Sequence, residues 1–314
     1  MPSRVPHVAM PVLLASGLAI WLAGGLPANH VVCACAEETQ AAEDRDGVSF
    51  LRVTREEDGE PRSLDTAVVR YAGDPQVEDG MTVDLVAAVH IGSEHYYATL
   101  NRLFRDYDAV LYELVAPENN RVPKAGQRPS GAIGSAQQGL TGALGLSFQL
   151  QEIDYSQANF VHADLSPQQF DAAMQKRGES WWTMFSRLMQ EGMTQARRKA
   201  AAGDTSGEVG IGELFGLLFS SDRELQLRRI MAEQFTDMEV LTAAFGGESG
   251  STIITDRNAA ALDVMRQQIA KGRERVAIFY GAAHMADFDQ RLRKDFDLKP
   301  METTWVEAWD LRGP

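Results

Sequence analysis

Apolar residues along this chain fall into two kinds of pattern. Residues 83–89, 109–115 and 276–280 are near-continuous apolar runs, which suit strands buried on both faces of a sheet covered by helices. Residues 48–53 and 66–71 are rich in β-branched and aromatic side chains, with a polar stretch holding Asp58-Gly59 and Pro61 between them. That pattern predicts two antiparallel strands joined by a loop. Between the first two continuous runs, Tyr97, Leu100, Leu103 and Phe104 recur at helical spacing behind Ser93, a good helix cap. Strand, helix and strand in so short a length predict a parallel, right-handed βαβ unit with its helix over 94–106.

Further along, residues 116–145 are rich in Pro, Gly, Gln and Ser and predict a long loop. Residues 159–162 predict a short strand ending near Asp164. Ser166-Pro167 then predicts a helix start, with serine as cap and proline in the first turn. Helical periodicity continues through Trp181, Trp182, Phe185, Leu188 and Met189, breaks over 202–212, and resumes over 213–219 and 222–245. The segment 166–250 is thus expected to be a helical insertion packed on the sheet or over its edge. A helix follows with Thr255 as cap and Gly272 as stop. After the third continuous run come a short amphipathic helix over 288–296 and a last strand over 303–309. The expected fold is α/β, a central mixed, largely parallel sheet flanked by helices, with no internal repeat.

The first 36 of the 314 residues are of another character. Arg4 and His7 precede an apolar run over 8–26, then Ala34-Cys35-Ala36 forms an A-x-A site before an acidic stretch. This is the order of a secretory signal peptide cleaved after Ala36, leaving one domain over 37–314 outside the cytoplasm, periplasmic or secreted. An uncleaved anchor, or a lipid anchor on Cys33 or Cys35, is the alternative, and membrane association is expected only through such an anchor. Cleavage after Ala36 removes both cysteines and excludes a disulfide. The net charge of −14 argues against nucleic acid as a partner and against adsorption on anionic lipid.

Candidate chemistry sits at the ends of the continuous runs. His90 follows one, Glu113 lies near the end of the next, and His284 follows the third behind Gly281-Ala282-Ala283. In open α/β sheets sites form beyond the carboxyl ends of parallel strands, so these three can converge. Two imidazoles and a carboxylate form a known set of three ligands that leaves an open position on a catalytic metal. Arg257, in the first turn of a helix, is either a surface arginine paired with Asp256 or a clamp for an oxyanion or carboxylate. His162 and Asp164 end a fourth strand and could join the site from there, with a structural part the stronger expectation. His95 is expected on an exposed helix face and Trp181-Trp182 in the core. No serine sits in a nucleophile-elbow pattern.

Four of these segments resemble the TraB/PrgY/GumN family, related to the Tiki proteases. Residues 83–93, with Ala87-Ala88-Val89-His90, resemble the family's first strand and GxxH motif. Residues 108–114 resemble its following strand with an acidic residue. Asp256-Arg257-Asn258 resembles its Arg-Asn pair at a helix start, and Gly281-Ala282-Ala283-His284 matches its second GxxH. The resemblance covers about 80–115 and 250–295; Ala87 departs from it by replacing a glycine. It implies a mixed sheet flanked by helices and a divalent metal (manganese or cobalt, with zinc also among the ions to test) on His90, His284 and Glu113, with Arg257 nearby. It also implies peptidase activity as an expectation. The resulting reading is an exported metal-dependent hydrolase of peptides or another small amide or ester, with Glu113 as ligand or general base and Arg257 steadying negative charge. The alternative is an extracytoplasmic protein that captures a peptide or haem-like ligand without turnover.

Overall fold

The computed structural model describes residues 48–73, 80–117, 122, 141–180, 222–236 and 251–313. The expected leader and its cysteines, most of the long loop, and the helical stretches expected over 181–219 and beyond 236 lie outside these residues.

Strand β1 (Leu51–Arg55) and strand β2 (Pro61–Ala72) form the expected antiparallel pair, with the second strand extending back to Pro61. Strand β3 (Thr82–Ala88) follows, then a two-residue strand β4 (Ile91–Gly92), helix α1 (Glu94–Leu103) and strand β5 (Ala109–Tyr112). Ser93 caps α1 by accepting the Tyr96 N–H, and a 3-10 turn carries the helix on to Asp106. A two-residue strand β6 (Ser147–Phe148) pairs with β4 and leads into a one-turn helix α2 (Gln149–Glu152). Strand β7 (Phe160–His162) precedes helix α3 (Pro167–Arg177). Helix α4 (Arg223–Thr236), helix α5 (Arg257–Ala270), strand β8 (Arg275–Gly281), helix α6 (Met285–Phe296) and strand β9 (Lys299–Asp310) complete the described chain.

The sheet is mixed and largely parallel, as the apolar runs predict. β3 pairs in parallel with β8, β8 with β5, and β5 with β7. β2 alone runs the other way, antiparallel to β1, β3 and β9. Residues Val68–Ala72 have partners in both β3 and β9, and Thr66 has partners in both β1 and β9. β9 therefore takes one edge of β2, and β1 and β3 share the other end to end. The βαβ unit expected from 83–115 is present, but β8 is inserted between its two strands. That insertion sets the ends of three continuous apolar strands side by side. Their side chains, from Val83 to Val86, from Ala109 to Leu111 and from Val276 to Ile278, are buried on both faces.

Two local expectations are corrected. The helix begun at Ser166, which closes a full capping box with Gln169, ends ahead of the periodic residues Trp181 to Met189, which lie outside the described residues. It stops at Arg177, where Gly178 adopts φ 66° and breaks the backbone pattern. The cap at the start of the Arg257 helix is Ser251, not Thr255. Its hydroxyl accepts the Ile254 N–H at the head of a five-residue π turn, Thr252–Asp256, that feeds α5. The Thr255 hydroxyl instead accepts the Ser251 N–H. Gly272, with φ 78°, does end that helix region. Among the described residues no helix is long and apolar enough to cross a membrane.

Candidate functional site

The carboxyl ends of β3, β5, β7 and β8 point the same way and carry His90, Glu113, Asp164 and His284 in turn. Glu113 is at the centre. One carboxylate oxygen accepts the Gly281 N–H at 2.8 Å, and the other accepts from the Arg257 guanidinium at 2.7 Å. The His284 Nε2 lies 3.5 Å from the Arg257-bonded oxygen. His90 closes in from the β3 side. A methyl group placed on Gly281 would stand 3.3 Å from Glu113 Oε2 and 3.5 Å from His90 Nε2, so glycine leaves both groups room to meet over the strand end.

That contact also locates Ala87, the departure from the first GxxH pattern. Gly281 is aligned with Ala88, and Ala87 with Tyr280. Side chains alternate along a strand, so the Ala87 methyl projects from the opposite face to a Cβ at 281. It is fully buried there and takes none of the space over Gly281.

Each imidazole is held through Nδ1. Asn258 donates from its amide nitrogen to the His284 carbonyl and to Asp287, at 3.0 and 2.8 Å. Both of those partners only accept, so the Asn258 oxygen is the atom 2.6 Å from His284 Nδ1. His284 Nδ1 therefore donates to that oxygen, and Nε2 is the ring atom turned toward Glu113. His90 Nδ1 lies 3.1 Å from the Gln149 side-chain oxygen. Tyr280 packs edge-on against the His284 ring, with ring centroids 5.1 Å apart, and its hydroxyl donates to the Ala163 carbonyl.

Arg257 is 4% exposed and is the clamp that the sequence offered as one of two readings, but the carboxylates it clamps are the protein's own. Its Nε and Nη2 grip both oxygens of Asp164, at 2.9 and 2.6 Å, while Nη2 also reaches Glu113. Burial works against the charge on Arg257, but Asp164 and Glu113 outweigh it and the guanidinium stays protonated. Burial likewise pushes the Glu113 carboxyl up. Arg257, His284 and His90 together reverse that and hold it well below the usual carboxylate range. Glu113 is therefore an anion at neutral pH.

Asp164, expected to be structural, is thus the second anchor of Arg257. Its position just past a strand end, like that of Glu113, is the signal that could have promoted it. His162 stays apart: its Nε2 hydrogen-bonds the Leu114 carbonyl at 2.6 Å and steadies the chain just beyond Glu113. His95 is exposed on α1 as expected. Gln149 was not foreseen, because nothing in its local pattern separates it from the loop before it. Among the described residues, no three His, Cys, Asp or Glu side chains are already gathered as ligands around one point, and both Glu113 oxygens are engaged. Comparison with family models, with curated proteins and with solved structures finds no match for this chain, so the likeness to the TraB/PrgY/GumN family rests on the four motifs alone.

Proposed function

We propose that this protein is an exported hydrolase acting on a carbonyl centre in a peptide or another small amide or ester. It works at the carboxyl edge of the parallel strands and uses a divalent ion of the manganese, cobalt or zinc kind. The observation that carries the reading is the pairing of a buried, ionised Glu113 with two histidines held through Nδ1 by side-chain amides. Such a set fits a divalent ion: neutral imidazole nitrogens and a carboxylate are its usual donors, and the second partner on each ring fixes the ligand's aim. His90, His284 and Glu113 would hold it. When bound, the ion would polarise the substrate carbonyl and acidify water beside it.

The chain's own groups have distinct parts. A carboxyl held far below neutrality is a weak proton acceptor, so Glu113 serves as ligand and electrostatic partner rather than general base. Arg257 holds Glu113 ionised and, tied to two carboxylates, acts through Glu113 rather than on the substrate.

Incubation of the purified protein with a peptide library and simple esters, with each ion in turn, tests the proposal. His284→Ala should lower hydrolysis by about 100-fold or more while the protein stays folded. Full activity in that variant would overturn the assignment. Capture without turnover is the second reading, favoured by the engagement of both Glu113 oxygens. A new absorbance band on mixing with haemin, with no ion-dependent cleavage, would select it.

A further inference from the structure

His284 has its tautomer imposed by Asn258, whose amide nitrogen has two partners that can only accept. His90 has a different holder, and the fold delivers it by a separate device. Directly after His90 the chain forms β4, whose Ile91 and Gly92 pair with Phe148 and Ser147 of β6. Carrying that antiparallel register one residue further sets Gln149 opposite His90. The Gln149 N–H does donate to the His90 carbonyl, at 2.9 Å. The ladder is four residues long in all, and this pair is its next rung. The Gln149 side chain, 4% exposed, then turns back to the ring, with its oxygen 3.1 Å from Nδ1. Its nitrogen donates to the hydroxyl of the buried Tyr155 at 2.9 Å.

We infer that Gln149 is a positioning residue for His90: its side-chain oxygen takes the Nδ1 proton, so that Nε2 faces the strand-end crevice as a lone pair. In this arrangement the amide nitrogen is given to the Tyr155 hydroxyl and the oxygen is left for the ring. An amide turned by half a rotation would present N–H to Nδ1 and force the ring proton onto Nε2, where it would point into the site and neither bind an ion nor accept a proton. The inference rests on the hydrolase reading for its purpose, but not for its test. Backbone and side chain of Gln149 also have separable parts. The N–H holds the ladder, and the amide holds the ring.

The test is the protonation pattern of the His90 ring in the purified protein, read from long-range proton–nitrogen NMR correlations after 15N-histidine labelling. The chain has six histidines, and the His90 signals are those lost in His90→Ala. The expected wild-type result, with neither ion nor substrate present, is a protonated Nδ1 and an unprotonated Nε2. Gln149→Leu keeps the backbone ladder and should move the proton toward Nε2. Gln149→Glu, which can only accept, should keep it on Nδ1. A wild-type ring protonated on Nε2 overturns the inference even if no variant folds. So does a pattern unchanged in Gln149→Leu, or one that Gln149→Glu fails to keep. Absence of hydrolysis leaves these spectra standing, so failure of the functional proposal and failure of this one are separately visible.

Discussion

Asp84 and Glu113 are both buried against the same sheet and both paired with an arginine, yet their surroundings differ in the mobility of their protons. Asp84 lies inside β3 and accepts a two-pronged bond from Arg70, at 3.0 and 2.9 Å, and the Tyr107 hydroxyl at 2.6 Å. Burial and the Asp84 charge push the Tyr107 hydroxyl up, so it keeps its proton. Arg70 is 48% exposed, which lets water share the cation. Glu113 lies just past a strand end, its arginine is sealed in, and its other neighbours are two rings that can exchange a proton or take up a cation. A buried ion pair alone marks neither site as functional. What separates them is the company of two histidine rings beside Glu113.

The sharpest test of that contrast is removal of the two cations. Arg257→Leu strands Glu113 and Asp164 as buried anions and should cost about 3–5 kcal/mol. Arg70→Leu leaves Asp84 with Tyr107 and a path to water and should cost about 1 kcal/mol. Thermal unfolding of the two variants side by side decides it; equal losses would mean that burial of the arginine is not what distinguishes the sites. Next in size is a methyl group at the strand end. Gly281→Ala crowds Glu113 Oε2 and His90 Nε2 from 3.3 and 3.5 Å, and the displaced groups should lower hydrolysis about tenfold. Ala87→Gly, on the other face, should leave hydrolysis unchanged and cost about 1 kcal/mol through added chain freedom in a strand. An inverted result, with the 87 variant changing activity, would show that the first GxxH position faces the site after all.

The same contrast explains what could be read in advance. Continuous apolar runs announced β3, β5 and β8 because parallel strands covered on both faces have no polar row to interrupt them. The residues that end those runs, His90, Glu113 and His284, were visible for the same reason: they are where an apolar run meets a titratable group. Arg257 left two readings open because a helix start suits a surface arginine as well as a buried one, and only the arrival of Asp164 and Glu113 from other strands decides between them. Gln149 was hidden further. Its part depends on a ladder of two residues on each side, too short for a period of two to register. The cap at Ser251 was missed because a π turn spaces it away from the helix it serves. The order of β8 between β3 and β5 was likewise beyond any local pattern, since it joins segments more than 150 residues apart.

A third arginine–carboxylate pair calibrates the other two from the surface. Arg177 grips Asp256 at 2.6 and 2.8 Å, with both side chains about 30% exposed or less. The bond from Arg177 outweighs partial burial and holds the Asp256 carboxyl below its ordinary value. A depressed carboxyl stabilises the fold above the pKa of the unfolded chain, about 3.9, and loses that contribution as pH falls through its lower folded value. Asp256→Asn should therefore cost only about 0.5 kcal/mol at pH 7, in the range of exposed pairs. The gap between variant and wild-type Tm should narrow as the pH drops below about 4. A gap that stays constant into acid would assign the effect to the π turn that Asp256 ends rather than to its charge. A loss as large as that of Arg257→Leu would break the ranking by burial on which the contrast between Asp84 and Glu113 depends.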